Sequence, residues 1–375
     1  MRKRDVIPLA VMVAVSAALW LCPSPRQLAV DGGRSARARV LAVDVSGVEK
    51  LGLLDYGSEM LEVEVLNGPE KGRRFVANNE IRAQLELDKR FRPGDTAVVT
   101  VPAEGAKEAD VLVARDHWRN GWSFAFFAAF CALLCWFGGW TGAKALFSFV
   151  FSCLVVWKAV VPLVLRGWSA SGTMFGAVAL LTAVIMYLVA GATRKGLAAF
   201  LGSMLGVLSS VALAQLVGGV MHLNGATMPY VQSLLYSGYE SLDLQDVFIG
   251  AMVLASSGAV MDLAMDIAAG VGEVARHSPG LSRRELFRSG VRIGRSVVGT
   301  MTTTLLLAYS GGYITLLMVF AAQGTRPLDF LNSTLVAAEL VKTLVGSFGL
   351  VLVAPFTALV SAWIYRGKGL KEDKP

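Results

Sequence analysis

Two aspartates lie close together inside one of the apolar stretches of the chain. Asp262 and Asp266 fall in the run 247–274, and on a helix their spacing of four residues places both on one face, about 6 Å apart along the axis. Each carboxylate costs about 2.5–3.5 kcal/mol at mid-membrane on insertion scales. Two carboxylates on one face either share a proton or bind a positive ion, so the pattern indicates a proton or cation site. The alternative is a pair of polar side chains satisfied across a helix interface.

Further polar groups in apolar runs extend this candidate site. The run 296–322 is rich in threonine, and threonine hydroxyls can bond back to the preceding turn without preventing a helix. We expect Asp262 to approach this helix, because its hydroxyls are donors available to a buried carboxyl. The candidate hydroxyls are those of Thr300, Thr302 and Thr303. Lys158 is the only basic residue deep within the run 145–165, and it either neutralises Asp262 or extends its ammonium group toward the membrane surface.

Glycines in the same two runs predict either close packing or a helix break. Gly258 and Gly299 are small enough for neighbouring helices to approach closely. The pair Gly311 and Gly312 predicts an interruption of its helix. A broken helix beside a carboxylate helix is how several transporters form a binding site near the midplane.

Two local patterns make narrower predictions about helix ends and ion pairs. Ser282-Arg-Arg-Glu285 fits a capping box that starts a short helix on the inner leaflet. Glu339 and Lys342 are spaced i,i+3 early in the last apolar run, where they either pair with each other or lie in the interface without a specific role.

The sequence argues against an enzyme. It contains no H-E-x-x-H, P-loop or G-x-S-x-G pattern. The three histidines fall at the edges of apolar runs or in loops, too far from a deep serine to activate it. Cys131 and Cys135, spaced i,i+4 without a nearby His or carboxylate, are more typical of helix filling than of a metal site. We therefore expect no catalytic residues, no cofactor and no metal.

Membrane helices must position these groups. The chain is 54% hydrophobic and 17% charged, whereas soluble domains are about 25% charged. A bilayer core of about 30 Å needs about 20 helical residues. The expected fold is therefore an α-helical polytopic membrane protein with about eight transmembrane helices. The eight apolar runs lie near 6–22, 120–140, 145–165, 173–191, 197–221, 247–274, 296–322 and 334–364.

One segment differs in composition from the rest. Residues 28–116 carry 13 Lys and Arg against 16 Asp and Glu, so the basic excess of the chain lies elsewhere, beside apolar runs, and does not indicate nucleic-acid binding. Short alternating segments with glycine and proline turns predict a small all-β barrel of the OB or SH3-like kind between the first and second spans. The predicted strands are Arg39–Val43, Met60–Leu66, Arg73–Val76, Thr96–Val101 and Asp110–Ala114.

The distribution of Lys and Arg predicts the orientation. Basic residues concentrate at the N-terminus, in alternate short loops and in the tail, which favours both termini in the cytoplasm. The predicted organisation is an N-terminal membrane anchor 1–27, an extracytoplasmic β-barrel domain 28–116, a membrane domain 117–366 with a basic cytoplasmic segment 275–295, and a cytoplasmic tail 367–375. The first run fits a cleaved signal peptide less well than a retained anchor, because no clear A-x-A site follows it.

Several blocks of the chain resemble the YibE/F family of bacterial multi-pass membrane proteins. The resemblance extends over essentially the whole chain, and it implies a permease-like protein of the bacterial cytoplasmic membrane, although it names no substrate. The family pattern implies serine where this chain has Asp266, and asparagine where the Gly-Thr-Met block has threonine. The matching blocks are Val189-Ala-Gly-Ala-Thr-Arg-Lys195, Gly258-Ala-Val-Met-Asp262-Leu-Ala-Met-Asp266, Leu281-Ser-Arg-Arg-Glu-Leu-Phe-Arg-Ser-Gly290, Gly299-Thr-Met-Thr-Thr-Thr-Leu-Leu-Leu-Ala-Tyr309 and Gly346-Ser-Phe-Gly-Leu-Val-Leu-Val-Ala-Pro355.

Together these observations predict secondary transport of a small solute or ion, with Asp262 as the binding or coupling carboxylate. The alternative is a non-transporting membrane scaffold or sensor that uses its β domain to dock a partner. The expected partners are the lipid bilayer, the small solute or ion, and a second copy of the chain or a paralogous membrane protein; nucleic acid is not among them.

Overall fold

The computed structural model describes residues 15–18, 20, 33–85, 87–102 and 110–366. The chain divides into two compact units, one of residues 25–137 and one that contains residues 138–375. The predicted anchor 1–27 lies outside the described residues except for a few positions, and the tail 367–375 lies wholly outside them.

The first unit contains a closed β-barrel, as predicted. Its sheet runs in the order β1-β5-β6-β4-β3 and closes where β3 pairs with β1. The pair β4–β6 is parallel and the other neighbours are antiparallel. The short strand β2, which the sequence pattern did not predict, adds to the edge of β3. The strands are β1 (Arg34–Asp44), β2 (Val48–Leu51), β3 (Leu54–Val65), β4 (Arg74–Arg82), β5 (Thr96–Val101) and β6 (Val111–His117).

Alternation along the strands fills the barrel. In β3, Leu61, Val63 and Val65 are buried while the intervening glutamates are not, because successive strand residues point to opposite faces. Polar groups are also buried in this unit, among them Asn79 and Glu59. The Glu59 carboxylate accepts hydrogen bonds from Asn79 Nδ2 at 2.9 Å and from the Arg90 guanidinium at 2.5 Å. The bonds to Glu59 and then Asp55 raise the pKa of Arg90.

The second unit is helical, and its helices follow the apolar runs closely. They are α1 (Asn120–Val155), a π-helical turn (Val156–Val160), α2 (Val161–Leu165), α3 (Ala170–Ala190), α4 (Arg194–Val220), α5 (Val231–Tyr236), α6 (Leu244–His277), α7 (Arg283–Gly312), α8 (Ile314–Ala322), α9 (Pro327–Asn332) and α10 (Thr334–Arg366). The first residues of α1 belong to the first unit.

The prediction of about eight spans is wrong. Over the described residues, five helices are long and apolar enough to cross a membrane, or six if the bent pair α7–α8 counts as one span. The runs 120–140 and 145–165 form one helical stretch, Asn120–Leu165, because the residues between them include Ala and Lys, which are good helix formers and do not end a helix. The non-helical backbone at Gly139 (φ 53°, ψ −129°) is a kink within that stretch. The first run, 6–22, falls largely among residues that the structure does not describe, so within the described residues the barrel precedes the helices.

Helix α6 lies at the centre of the bundle, in contact with α3, α4, α7 and α10. Helices α4 and α10 also approach each other closely, because small residues line the contact between them. A Cβ added at Gly206 would lie 2.9 Å from Val353 Cβ, and one at Gly202 would lie 2.8 Å from Thr357 Cα. Without a hydrophobic force between helices in lipid, such close backbone approach is what holds membrane helices together.

Two local predictions about helix ends and pairs are confirmed. The capping box forms at the start of α7, where Ser282 Oγ accepts from the Glu285 amide and the Glu285 carboxylate accepts from the Ser282 amide. The predicted short helix is wrong, because α7 continues from this box into the apolar run as one helix of 30 residues. Glu339 and Lys342 form an ion pair at 2.6 Å on α10.

Candidate functional site

The two aspartates lie on an exposed side of α6. Asp262 stands near the middle of this helix, and both Asp262 and Asp266 are exposed. Ala255 and Gly258 are exposed on the same side, about two turns and one turn closer to the N-terminus than Asp262. The opposite side of the helix is buried against the bundle, and its central residues are Val260, Leu263, Ala264 and Ile267.

Helix α7 lies antiparallel beside α6, and close approaches define the register between them. A Cβ added at Gly270 would lie 2.7 Å from Ile293 Cδ1, and one at Gly294 would lie 3.2 Å from Ile267 Cδ1. Each step toward the N-terminus of α6 therefore matches a step toward the C-terminus of α7. Extended at about 1.5 Å per residue, this register places Asp262 at the depth of Gly299 and Asp266 at the depth of Arg295.

The side of α7 next to these aspartates is also uncovered. Gly299, Thr300 and Thr303 are exposed, and so is Ser296. A Cβ added at Gly299 or at Gly258 would meet no atom within 4 Å, so both glycines face open space and neither lies in a helix contact. We call this surface the α6–α7 open face; it consists of Ala255, Gly258, Asp262 and Asp266 of α6 and Arg292, Ser296, Gly299, Thr300, Thr303 and Leu307 of α7.

The hydroxyl groups on this face are oriented as acceptors. Thr300 Oγ1 donates to the Val297 carbonyl at 2.9 Å, and Thr303 Oγ1 donates to the Gly299 carbonyl at 3.0 Å. A hydroxyl whose proton is used in this way has only lone pairs to offer a ligand. The expected bonds from these threonines to Asp262 are therefore not seen, and within the described part of the chain no hydrogen bond or ion pair satisfies the Asp262 carboxylate.

The remaining predicted site residues lie elsewhere. Thr302 is on the covered side of α7, where its Oγ1 is buried without a hydrogen-bond partner among the described residues. Lys158 is in the π-helical turn, which contacts α3. The charged residue nearest to Asp262 along α6 is Asp266, about one helical turn away. Gly311 and Gly312 lie where α7 ends, and α8 continues at an angle of 62°.

Sequence reasoning missed Ser296 and Arg292 as members of the open face. The signal was present, because Arg292, Ser296, Gly299 and Thr303 recur at helical spacing. It also missed Asp246, whose Oδ2 accepts from Ser169 Oγ at 2.9 Å and from the Ala170 amide at 2.6 Å. This carboxylate joins the N-terminus of α6 to that of α3, where unsatisfied amides favour an anion.

Two cavities in the helical unit lie away from the aspartates. One of about 450 Å³ lies beside α3, with Leu163, Trp168 and Gly176 among its lining residues. The other, of about 300 Å³, includes Asp243 and Asp246 at the N-terminus of α6. Neither includes Asp262. Over the described residues, no group of three His, Cys, Asp or Glu side chains could hold a metal ion.

The helical unit corresponds to a known protein family. A family model described as YibE/F-like protein matches residues 126–367, a range that contains both helices of the open face. No curated protein and no solved structure matches the chain. The match does not include the β-barrel, so the similarity extends over less of the chain than the sequence blocks implied.

Proposed function

The chain belongs to the YibE/F-like family, and we propose that it is a membrane permease, a secondary transporter of a small solute or ion whose site includes Asp262. One observation carries this proposal. A carboxylate in the middle of an apolar helix faces an open surface, and within the described residues no donor satisfies it. Because such a carboxylate is costly in a bilayer, an intramembrane acid is by default a functional group.

The chemistry of the neighbouring groups favours a positively charged occupant or a proton. Asp266 and the hydroxyls of Thr300 and Thr303 lie close to the depth of Asp262, and their oxygen atoms offer lone pairs to a ligand. Hard cations take such oxygen ligands, and two neighbouring carboxylates can also share one proton. In this proposal Asp262 binds or couples the transported species, and Asp266 adjusts the charge of the site.

The alternative of a scaffold requires the opposite environment. A purely structural Asp262 needs hydrogen-bond partners in a dry helix contact, because a buried polar group is otherwise destabilising. The described residues supply no such partners, which favours transport over a structural role in which Asp262 holds helices of one chain together.

A docking role for the β-barrel is a second candidate, and it is compatible with transport. Val76, Val111 and Val113 are 45%, 55% and 48% exposed on the adjacent strands β4 and β6, and exposed apolar patches commonly mark interaction sites.

We also assign the barrel to the OB type, because β1 pairs with both β3 and β5 while β4 and β6 are parallel.

We further propose that the chain lies in the bacterial cytoplasmic membrane with its termini in the cytoplasm. The turn 191–193 and the turn 278–282 lie at one end of the helical bundle. Helices α3 and α6 begin together at the other end, at the Asp246–Ala170 contact, and both run toward these turns. Arginines and lysines cluster at this end, which favours its cytoplasmic placement. On charge alone, the β-barrel domain is extracytoplasmic.

Reconstituted vesicles test the transport proposal even though the solute is unidentified. The full chain is placed in liposomes that contain a pH-sensitive dye, and Na⁺, K⁺, Mg²⁺ and Ca²⁺ are added in turn. In parallel, a fluorescent carbodiimide labels intramembrane carboxyls. We expect one cation to move protons and to protect Asp262 from labelling. Asp262→Asn should abolish both effects, whereas Asp329→Asn, in an exposed ion pair with Arg326, should leave both intact. Absence of flux and of protection with every cation would contradict a cation site at Asp262.

A further inference from the structure

The α6–α7 open face is polar along much of its length, and lipid tails offer nothing to satisfy it. We propose that a second copy of this chain covers this face, so that α6 of each copy packs against α7 of the other and the Asp262 site is completed between them. The inference deepens the proposed function and rests on it, because it adds a subunit interface to the same carboxylate.

Helices α6 and α7 are neighbours whose exposed sides form one surface, so two copies related by a two-fold axis along the membrane normal place the four helices in a square. Each α6 then has its own α7 on one side and the second copy's α7 on the other. This is an isologous contact, which closes at a dimer.

A two-fold axis along the membrane normal preserves depth, and the charges of the two facing helices are complementary across it. Asp266 lies at the depth of Arg295, within about one helical turn of Arg292. Asp266 and Arg292 take part in no ion pair among the described residues, so both charges are available to the second copy. Facing helices then carry an acid and a base within about one helical turn of each other in depth, and such complementary charges favour one register of contact.

The two facing helices are also complementary in shape. Gly258 and Ala255 lie at the depths of Thr303 and Leu307, so small residues on one helix face larger ones on the other. Leu307 is 64% exposed, and a second copy's Ala255 leaves space for its side chain. Small residues at this position allow close approach of the helices, and the threonines of the second copy then lie at the depth of Asp262.

Disulfide cross-linking between differently tagged copies tests the interface. The native Cys22, Cys131, Cys135 and Cys153 are first replaced by serine. One tagged copy carries Ala255→Cys and the other carries Leu307→Cys, so a disulfide between the tags forms only across copies. We expect efficient cross-linking in intact membranes. The control pairs Leu307→Cys with Leu340→Cys on α10, which is exposed at a similar depth on another side, and it should give at least several-fold less product.

A charge exchange then tests the Asp266–Arg292 pairing. Asp266→Arg in all copies, or Arg292→Asp in all copies, places like charges across both contacts and should lower cross-linking several-fold. Co-expression of one copy with Asp266→Arg and one with Arg292→Asp restores an opposite-charge pair at both contacts. It should therefore recover cross-linking between the tags. Pairing inside one chain predicts no such recovery.

The outcomes separate this inference from the proposed function. Monomeric protein without cross-links overturns the inference, whether a lipid or a different membrane protein covers the face. In that case a loss of cation-driven flux in Asp262→Asn would still support transport. Conversely, efficient cross-linking together with unchanged flux in Asp262→Asn supports the interface and contradicts the transport site.

Discussion

Asp262 of α6 and Gly299 of α7 lie at the same depth on antiparallel neighbours, and both face away from the core of the bundle. The register that relates them follows from contacts lower in the same helix pair, at Gly270–Ile293 and Gly294–Ile267. A glycine beside the carboxylate leaves room for an occupant next to it, where any larger side chain would reduce that room. The same arrangement underlies both the transport site and the interface.

The first prediction separates charge from shape at Asp262. Asp262→Asn should abolish cation-driven flux while the protein remains folded and inserted, because the amide is nearly isosteric with the acid but carries neither its charge nor its proton. Asp266→Ser should be milder, since it restores the residue that the family pattern implies. Flux is measured in liposomes and folding by gel filtration in detergent. If Asp262→Asn keeps full flux while Asp262→Leu fails to fold, the carboxylate is structural.

A second prediction concerns the contact between α4 and α10. Gly206→Leu should destabilise the helical unit by about 1–3 kcal/mol or more, because its Cβ would lie 2.9 Å from Val353 Cβ and over-packing forces backbone shifts. Gly219→Leu on the same helix is the matched control, since a Cβ there meets no atom within 4 Å. Thermal unfolding in detergent compares the two, and equal melting temperatures would show that the contact is not tightly packed.

The sequence allowed the helix positions and the barrel strands to be predicted, since both depend on local patterns. Apolar runs and alternating residues reflect burial in lipid or in a small core, and Ser282 and Glu285 reveal a helix start. The number of membrane spans was harder to predict from the sequence. Hydropathy falls near Lys144, but lysine is compatible with a helix, so the fall does not end the helical stretch Asn120–Leu165.

The candidate site could be predicted only in part from the sequence, for a different physical reason. In a membrane protein the lipid-facing and the core-facing sides of a helix are both apolar, so periodicity does not distinguish the exposed Gly258 from the packed Gly206. Thr302 and Thr303 adjoin in sequence, yet one is covered and the other open, because successive helical residues are about 100° apart. That distinction requires the positions of neighbouring helices.

A third prediction concerns the carboxylate inside the barrel. Arg90→Ala should destabilise the β-barrel by about 1–3 kcal/mol, because it removes a charged donor from Glu59, whose side chain is 2% exposed. Arg82→Ala breaks an exposed pair with Glu80 and should cost under about 1 kcal/mol. Urea-dependent proteolysis of the full chain in detergent measures both. An equal effect of the two substitutions would mean that Glu59 finds another partner.

The last prediction concerns orientation. Pro279→Cys, in the turn between α6 and α7, should react with a membrane-impermeant maleimide only after the cells are permeabilised, because the adjoining segment 275–295 is strongly basic. Ser237→Cys, exposed after α5 at the opposite end of the bundle, should react in intact cells. The native cysteines are removed in both variants, so each signal reports one position. Labelling of Pro279→Cys from outside, with Ser237→Cys protected, would reverse the proposed topology and place the basic end of the bundle outside the cell.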